Sequence, residues 1–108
     1  MREIKLQNYE LADTLLLRAK GIMFRKRITR PMLFVFPALE RVSIHSFFCP
    51  VFDAVFLNRA KKVSETYERI LPGRMITPKS PAAYLVEFPA GTVKQKGIRK
   101  GTVIRFNC

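Results

Sequence analysis

Few residues in this chain are of types that do chemistry, and they do not form an obvious set. There is one histidine, His45, and there are two cysteines, Cys49 and Cys108. With no Cys-x-x-Cys pair and a single histidine, the chain holds no zinc set, and no metal or cofactor is expected. His45 is of the right type for a general base. Ser46 and Cys49 lie close to it in sequence, but neither completes a nucleophile–base–acid arrangement, so a structural or surface histidine is expected. Cys49 sits among phenylalanines and reads as a small core residue. A disulfide to Cys108 is left open.

Asp53 is the most informative acid. It lies in the otherwise apolar run Phe52-Asp53-Ala54-Val55-Phe56-Leu57, and a buried carboxylate must be paired or hydrogen-bonded. Arg18, Arg25 and His45 are its candidate partners. One reading is a cleft in which Asp53, His45 and the Arg18–Arg25 segment bind a small ligand or catalyse a reaction. The reading favoured is a structural salt bridge or turn anchor. Glu87 alternates with Val86 and Phe88 and is expected to face solvent or a basic neighbour. No glycine spacing of a phosphate-binding loop is present.

Charge gives the broader signal. Lysine and arginine number 20 against 8 acids, a net charge of +12. Such an excess favours polyanionic partners such as nucleic acid. The cations fall into two clusters. The first holds Arg18, Lys20, Arg25, Lys26, Arg27 and Arg30. The second holds Lys94, Lys96, Arg99, Lys100 and Arg105. Phosphate contacts from either would give affinity without sequence specificity. Base stacking needs exposed aromatics, for which Tyr9, Tyr67 and Tyr84 are the candidates. A solvated basic surface is the competing explanation.

These residues need a scaffold. At 108 residues, 48% of them hydrophobic, the chain suits one domain, 1–108, that buries roughly two-thirds of its unfolded surface. Pro31 to Asn58 supplies most of the core, with Phe34, Phe36, Phe47, Phe48, Phe52 and Phe56. Glu3–Asn8 reads as an edge strand. Leu11, Leu15 and Ala19 share one helical face, so a short helix is expected over Leu11–Lys20, capped by Asn8 and ended by Gly21. Met32–Phe36 reads as a buried strand stopped by Pro37. Val42–Ser46, Val51–Leu57, Val63–Ile70, Ala83–Phe88 and Thr102–Phe106 read as further strands, with a hairpin turn at Asn58–Lys62. Thr92-Val93-Lys94-Gln95 fits a capping box on a single helical turn. Gly97 then suits a left-handed C-terminal position that folds Ile98 back onto the core. No apolar stretch approaches the ~18 residues of a membrane span and no signal peptide is evident, so a cytoplasmic protein with no membrane partner is expected.

Several blocks together resemble a known family. They are Arg18-Ala19-Lys20-Gly21-Ile22-Met23-Phe24-Arg25, Met32-Leu33-Phe34-Val35-Phe36-Pro37, Phe52-Asp53-Ala54-Val55-Phe56-Leu57, and Leu85-Val86-Glu87-Phe88-Pro89-Ala90-Gly91-Thr92 followed by Gly97-Ile98-Arg99-Lys100-Gly101. The chain is similar to the conserved "domain of unknown function one-nine-two" proteins of bacteria and archaea, from about Ala12 to Phe106. It departs from them at Ile44-His45-Ser46-Phe47-Phe48, where many bacterial members have Phe-Trp-Met-x-Asn-Thr, and at Thr102, where an aspartate is usual. The resemblance implies a compact, mostly β barrel or sandwich with short helices and implies no established activity.

The fold expected is therefore mainly β. It is a single compact antiparallel barrel or sandwich with one short N-terminal helix and a short helical turn before the last strand. The function expected is a non-enzymatic binding module for RNA, DNA or another polyanion through Arg18, Arg25, Lys26, Arg27, Arg30, Lys94, Lys96, Arg99 and Lys100. The alternative is the cleft at His45 and Asp53.

Overall fold

Two strands with apolar residues on both faces set the architecture. The structure, a computed structural model, describes residues 2–12, 23 and 25–107. Strand β5 (Phe52–Leu57) is buried along its whole length, and β8 (Ala82–Pro89) nearly so. Neither can tolerate water on either side, so both occupy the interior of a five-stranded sheet. Its order is β2 (Glu10–Ala12), β3 (Met32–Glu40), β8, β5, β6 (Val63–Ile70).

Side-chain alternation along these strands divides the core in two. One face carries Met32, Phe34, Phe52, Ala54, Phe56 and Leu85, with Ile28, Cys49 and Ile70 packed on them. The other carries Leu33, Val55, Leu57, Val86 and Phe88, covered by Leu6, Val93, Ile98, Ile104 and Phe106. Each fully buried leucine or phenylalanine contributes about 1.5–3 kcal/mol.

Smaller elements complete these layers. β1 (Glu3–Lys5) runs parallel to β9 (Val103–Arg105) on the second face. β4 (Ile44–His45) and β7 (Met75–Ile76) form an antiparallel ribbon whose Ile44 and Ile76 pack on the first. The β5–β6 hairpin turns at Asn58–Lys62 as expected. Asn58 Oδ1 accepts from the N–H groups of Ala60 at 2.9 Å and Lys62 at 3.1 Å, an Asx-type turn. Helix α1 (Thr92–Lys96) ends as the sequence predicts. Gly97 has φ 63°, its N–H donates to Lys94 O, and the Ile98 N–H reaches back to Val93 O.

Four expectations change. The described sheet ends at β2 and β6 and does not close into a barrel. It is not wholly antiparallel either, since β2–β3 and β1–β9 are parallel pairs. Leu11 and Ala12, read as helical, belong to β2, and Asn8 (φ 52°) turns the chain into that strand instead of capping a helix. The rest of the expected helix, 13–20, and Gly21 lie outside the described residues. Strand β3 continues past Pro37 to Glu40, with a register irregularity between Val35 and Glu40. Proline cannot donate to a ladder and is accommodated at such an irregularity.

Candidate functional site

Asp53 points into the second core face and is fully buried. Its Oδ1 accepts the Arg69 N–H at 2.8 Å, and its Oδ2 accepts the N–H groups of Gly91 at 3.1 Å and Val93 at 2.9 Å. All three donors are backbone. The carboxylate thus supplies from β5 the cap that the capping box was expected to supply. Thr92 Oγ1 instead donates to Pro89 O at 2.6 Å, and α1 has no side-chain cap of its own. Asp53 is the turn anchor, tying β6 and the start of α1 to the central sheet.

His45 is elsewhere. It lies on the ribbon that packs against the opposite face of the sheet. Its Nδ1 accepts the Phe47 N–H at 3.2 Å, and its ring stacks on Phe47 with centroids 5.3 Å apart and planes 28° from parallel. The expected cleft of His45 with Asp53 is therefore not assembled: a five-stranded sheet separates them, and Asp53 has no open face. Arg18 lies outside the described residues. Arg25 makes a bidentate pair with Glu10, at 2.5 and 2.9 Å, and Arg30 Nε lies 3.6 Å from Glu10 Oε2. The Arg25 hydrogen bond holds the Glu10 carboxyl below its ordinary range, and Glu10 in turn raises Arg25.

Glu87 meets only half of its expectation: Arg25 is a basic neighbour, but the solvent is missing. It does not face solvent but is buried on the first core face, opposite Met32 and Ala54 in the ladder. Its Oε1 makes no hydrogen bond. Burial raises this carboxyl to about 8, which the Arg25 charge opposes. Cys49 is a free thiol pushed up to about 11 by burial and then by Glu87, so it is unsuited to nucleophilic work. Among the described residues no three His, Cys, Asp or Glu side chains gather as metal ligands.

The two basic clusters do not share a face. Arg25 and Arg30 are tied to Glu10 at the β2 edge, and Lys26 and Arg27 precede Ile28, which is buried in the first core. Lys94, Lys96, Arg99 and Lys100 are exposed on α1 and the turn after it, over the second core. Arg105 pairs with Glu3 at 3.7 Å. A half-open groove of about 640 Å³ runs beside β1 and β9, lined by Lys5, Tyr9, Lys61, Arg105 and Phe106. Much of its polar lining is engaged: Lys61 Nζ donates to Phe106 O at 2.8 Å and lies 4.2 Å from that ring's centroid, and Tyr9 donates to Asn107 O.

A family profile described as an uncharacterised group, DUF192, matches residues 2–106. The chain belongs to the DUF192 family. The UPF0127 protein of Thermococcus kodakarensis is 34% identical over 100 residues, which are 90% of this chain and 63% of that protein. The UPF0127 protein of Pyrococcus furiosus is 33% identical over 109 residues, 98% of this chain and 91% of that one. The chain thus spans under two-thirds of the Thermococcus relative. Two crystal structures share the fold at a TM-score of 0.80. One, from Sinorhizobium meliloti, is described as a candidate transcription regulator; it is 28% identical, with 86% of this chain and 76% of that one covered. The other, a protein of unknown function from Novosphingobium aromaticivorans, is 22% identical over 86% of this chain and 70% of its own.

The exposed aromatics of this DUF192 chain are not the tyrosines that its sequence suggests. All three tyrosines are partly buried. Tyr67 donates to Glu65 at 2.6 Å and packs edge-on to Phe56, while Tyr9 and Tyr84 pack edge-on to Phe106. The exposed rings are Phe47 (44%) and Phe48 (68%), beside Met75 (61%) and Leu71 (51%). They sit in a run rich in phenylalanine and so read as core. The signal that separates them is Ser46-Phe47-Phe48-Cys49-Pro50: two adjacent phenylalanines before a proline fit a turn tip better than a buried strand.

Proposed function

We propose that this DUF192 chain is a non-enzymatic binding module for a polyanion, with RNA or DNA the ligand class. The observation that carries the reading is how the fold disposes of its acids. Asp53 and Glu87 are buried. Glu65 is occupied by the Tyr67 hydroxyl and the N–H groups of Lys79 and Ser80. Among the described residues, ion pairs engage only Arg25, Arg30 and Arg105. Lys26, Arg27, Lys94, Lys96, Arg99 and Lys100 are exposed, and no described acid pairs with them. The surface is thus more cationic than a net charge of +12 over 108 residues conveys. Such a surface attracts phosphates and gains affinity by releasing their counterions. The Sinorhizobium protein's description as a candidate transcription regulator points to the same ligand class.

The test is fluorescence anisotropy of short labelled RNA and DNA. Micromolar binding is expected at 50 mM salt, and a site using about four phosphates loses roughly 100-fold by 200 mM. Affinity that stays flat with salt, or no binding at 50 mM, overturns the reading.

A further inference from the structure

The β4–β7 ribbon turns two sides to different surroundings. Ile44 and Ile76, directly opposite in register, pack inward on the first core. His45 and Met75, the next pair, therefore face outward. Ser43 and Thr77 share that outer side and are joined by a 2.8 Å hydrogen bond. Phe47 continues it, stacked on the His45 ring with 44% of its surface open. The result is an outer strip on a hydrogen-bonded ribbon, with Phe47 and Met75 exposed and His45 half-buried between them.

The strip is held firmly. Ser46 is fully buried. Its Oγ donates to Leu71 O at 2.6 Å and accepts the Arg74 N–H at 2.8 Å, while its own N–H donates to Arg74 O at 2.9 Å. The turn carrying Phe47 is thereby fastened to the chain entering β7. The apolar surface is paired with cations. Arg74 adjoins Met75, and Arg41 stands at the ribbon's other end, its Nε donating to Pro78 O at 2.9 Å. Ile28, which follows the exposed Lys26 and Arg27 in sequence, enters the same core face that the ribbon covers. Two acids stand near the same end of the ribbon: Glu40, next to Arg41 in sequence, and Glu65, whose carboxylate is taken up by the Tyr67 hydroxyl and the N–H groups of Lys79 and Ser80.

We infer that single-stranded nucleic acid stacks its bases on this outer strip, chiefly on the Phe47 ring backed by His45, with phosphates against Arg41 and Arg74. The inference rests on the polyanion reading above and gives it a place and a substrate form. Flat apolar rings flanked by arginines fit unstacked bases and their phosphates together. A duplex keeps its base faces covered. A second copy of this chain would bring +12 against +12.

The chain has no tryptophan, so Phe47→Trp places a single reporter at the strip. Oligouridine and oligothymidine are expected to quench it, and heparin, a polyanion without bases, to bind without quenching. Phe47→Ala and, on the opposite strand, Met75→Ala are expected to weaken single-strand binding by about fivefold or more. Both should leave heparin affinity and Tm unchanged. If single strands, duplex and heparin bind alike and neither alanine variant matters, stacking is wrong while the polyanion reading stands. If none of the three binds at 50 mM salt, both fall.

Discussion

At the scale of single residues, Glu87 is the group whose environment departs furthest from its type. Its carboxyl is buried with Oε1 unbonded, and burial lifts it to about 8 against an ordinary 4.5. The folded protein therefore keeps a proton that the unfolded chain releases between about pH 4.5 and 8. A state that binds fewer protons gains as pH rises, so this group's contribution is full below about 4.5 and is lost as pH rises through 8. Glu87→Gln, which removes the titration and keeps the shape, should match the parent near pH 4.5. At pH 9 it should melt higher by more than about 4 °C, the shift that ~1 kcal/mol gives in a domain of this size. Thermal melts across pH check it; parallel curves for the two proteins would show that Glu87 is already ionised when folded. The sequence misleads at Glu87 because a single acid in Val86-Glu87-Phe88 looks like the polar half of an alternation. That logic needs a solvated face, and β8 has none: Leu85 packs on one side and Val86 and Phe88 on the other.

At the scale of elements, α1 shows how a distant residue can replace a local motif. The sequence offers Thr92 and Gln95 as a capping box, but Thr92 Oγ1 is used on Pro89 O, and the N–H groups of Gly91 and Val93 go to Asp53, some forty positions earlier. Asp53→Asn keeps the volume but replaces one acceptor with a donor facing an N–H group and removes the charge. It should cost about 2–4 kcal/mol in urea unfolding, whereas Gln95→Ala should stay within about 0.5 kcal/mol. The reverse order would restore the local box. The C-terminal end of the same helix is legible in the sequence, because Gly97 and Ile98 need only local geometry. So are β5, β6, β8 and the Asn58 turn, which rest on local pattern. What local pattern does not fix is which strands pair. The parallel pairs β1–β9 and β2–β3 depend on where distant segments meet, as does the lack of pairing between β6 and β2 that leaves the described sheet unclosed.

At the scale of the molecule, the five-stranded sheet acts as a partition. Both basic clusters are visible in the sequence, but their separation is not, because it follows from which face each neighbouring apolar residue joins. Ile28 enters the core of the first face and sets Lys26 and Arg27 on the ribbon's side; Val93 and Ile98 enter the second and carry Lys94, Lys96, Arg99 and Lys100 to the other. The clusters therefore make different predictions for a bound strand. If nucleic acid lies along the ribbon, the double charge reversal Lys26→Glu/Arg27→Glu should weaken single-strand binding severalfold. It should also reduce the salt slope by about one to two, near 0.7 for each phosphate that is no longer neutralised. Lys94→Glu/Lys96→Glu changes the net charge equally, from +12 to +8, and so shares any long-range effect. It touches the far face, so its slope should remain that of the parent. Anisotropy titrations at several salt concentrations separate the two. Equal slopes for both variants would mean that the strand follows overall charge and has no preferred face. A larger loss from the helix pair would move the site to α1 and leave the Phe47 strip outside it.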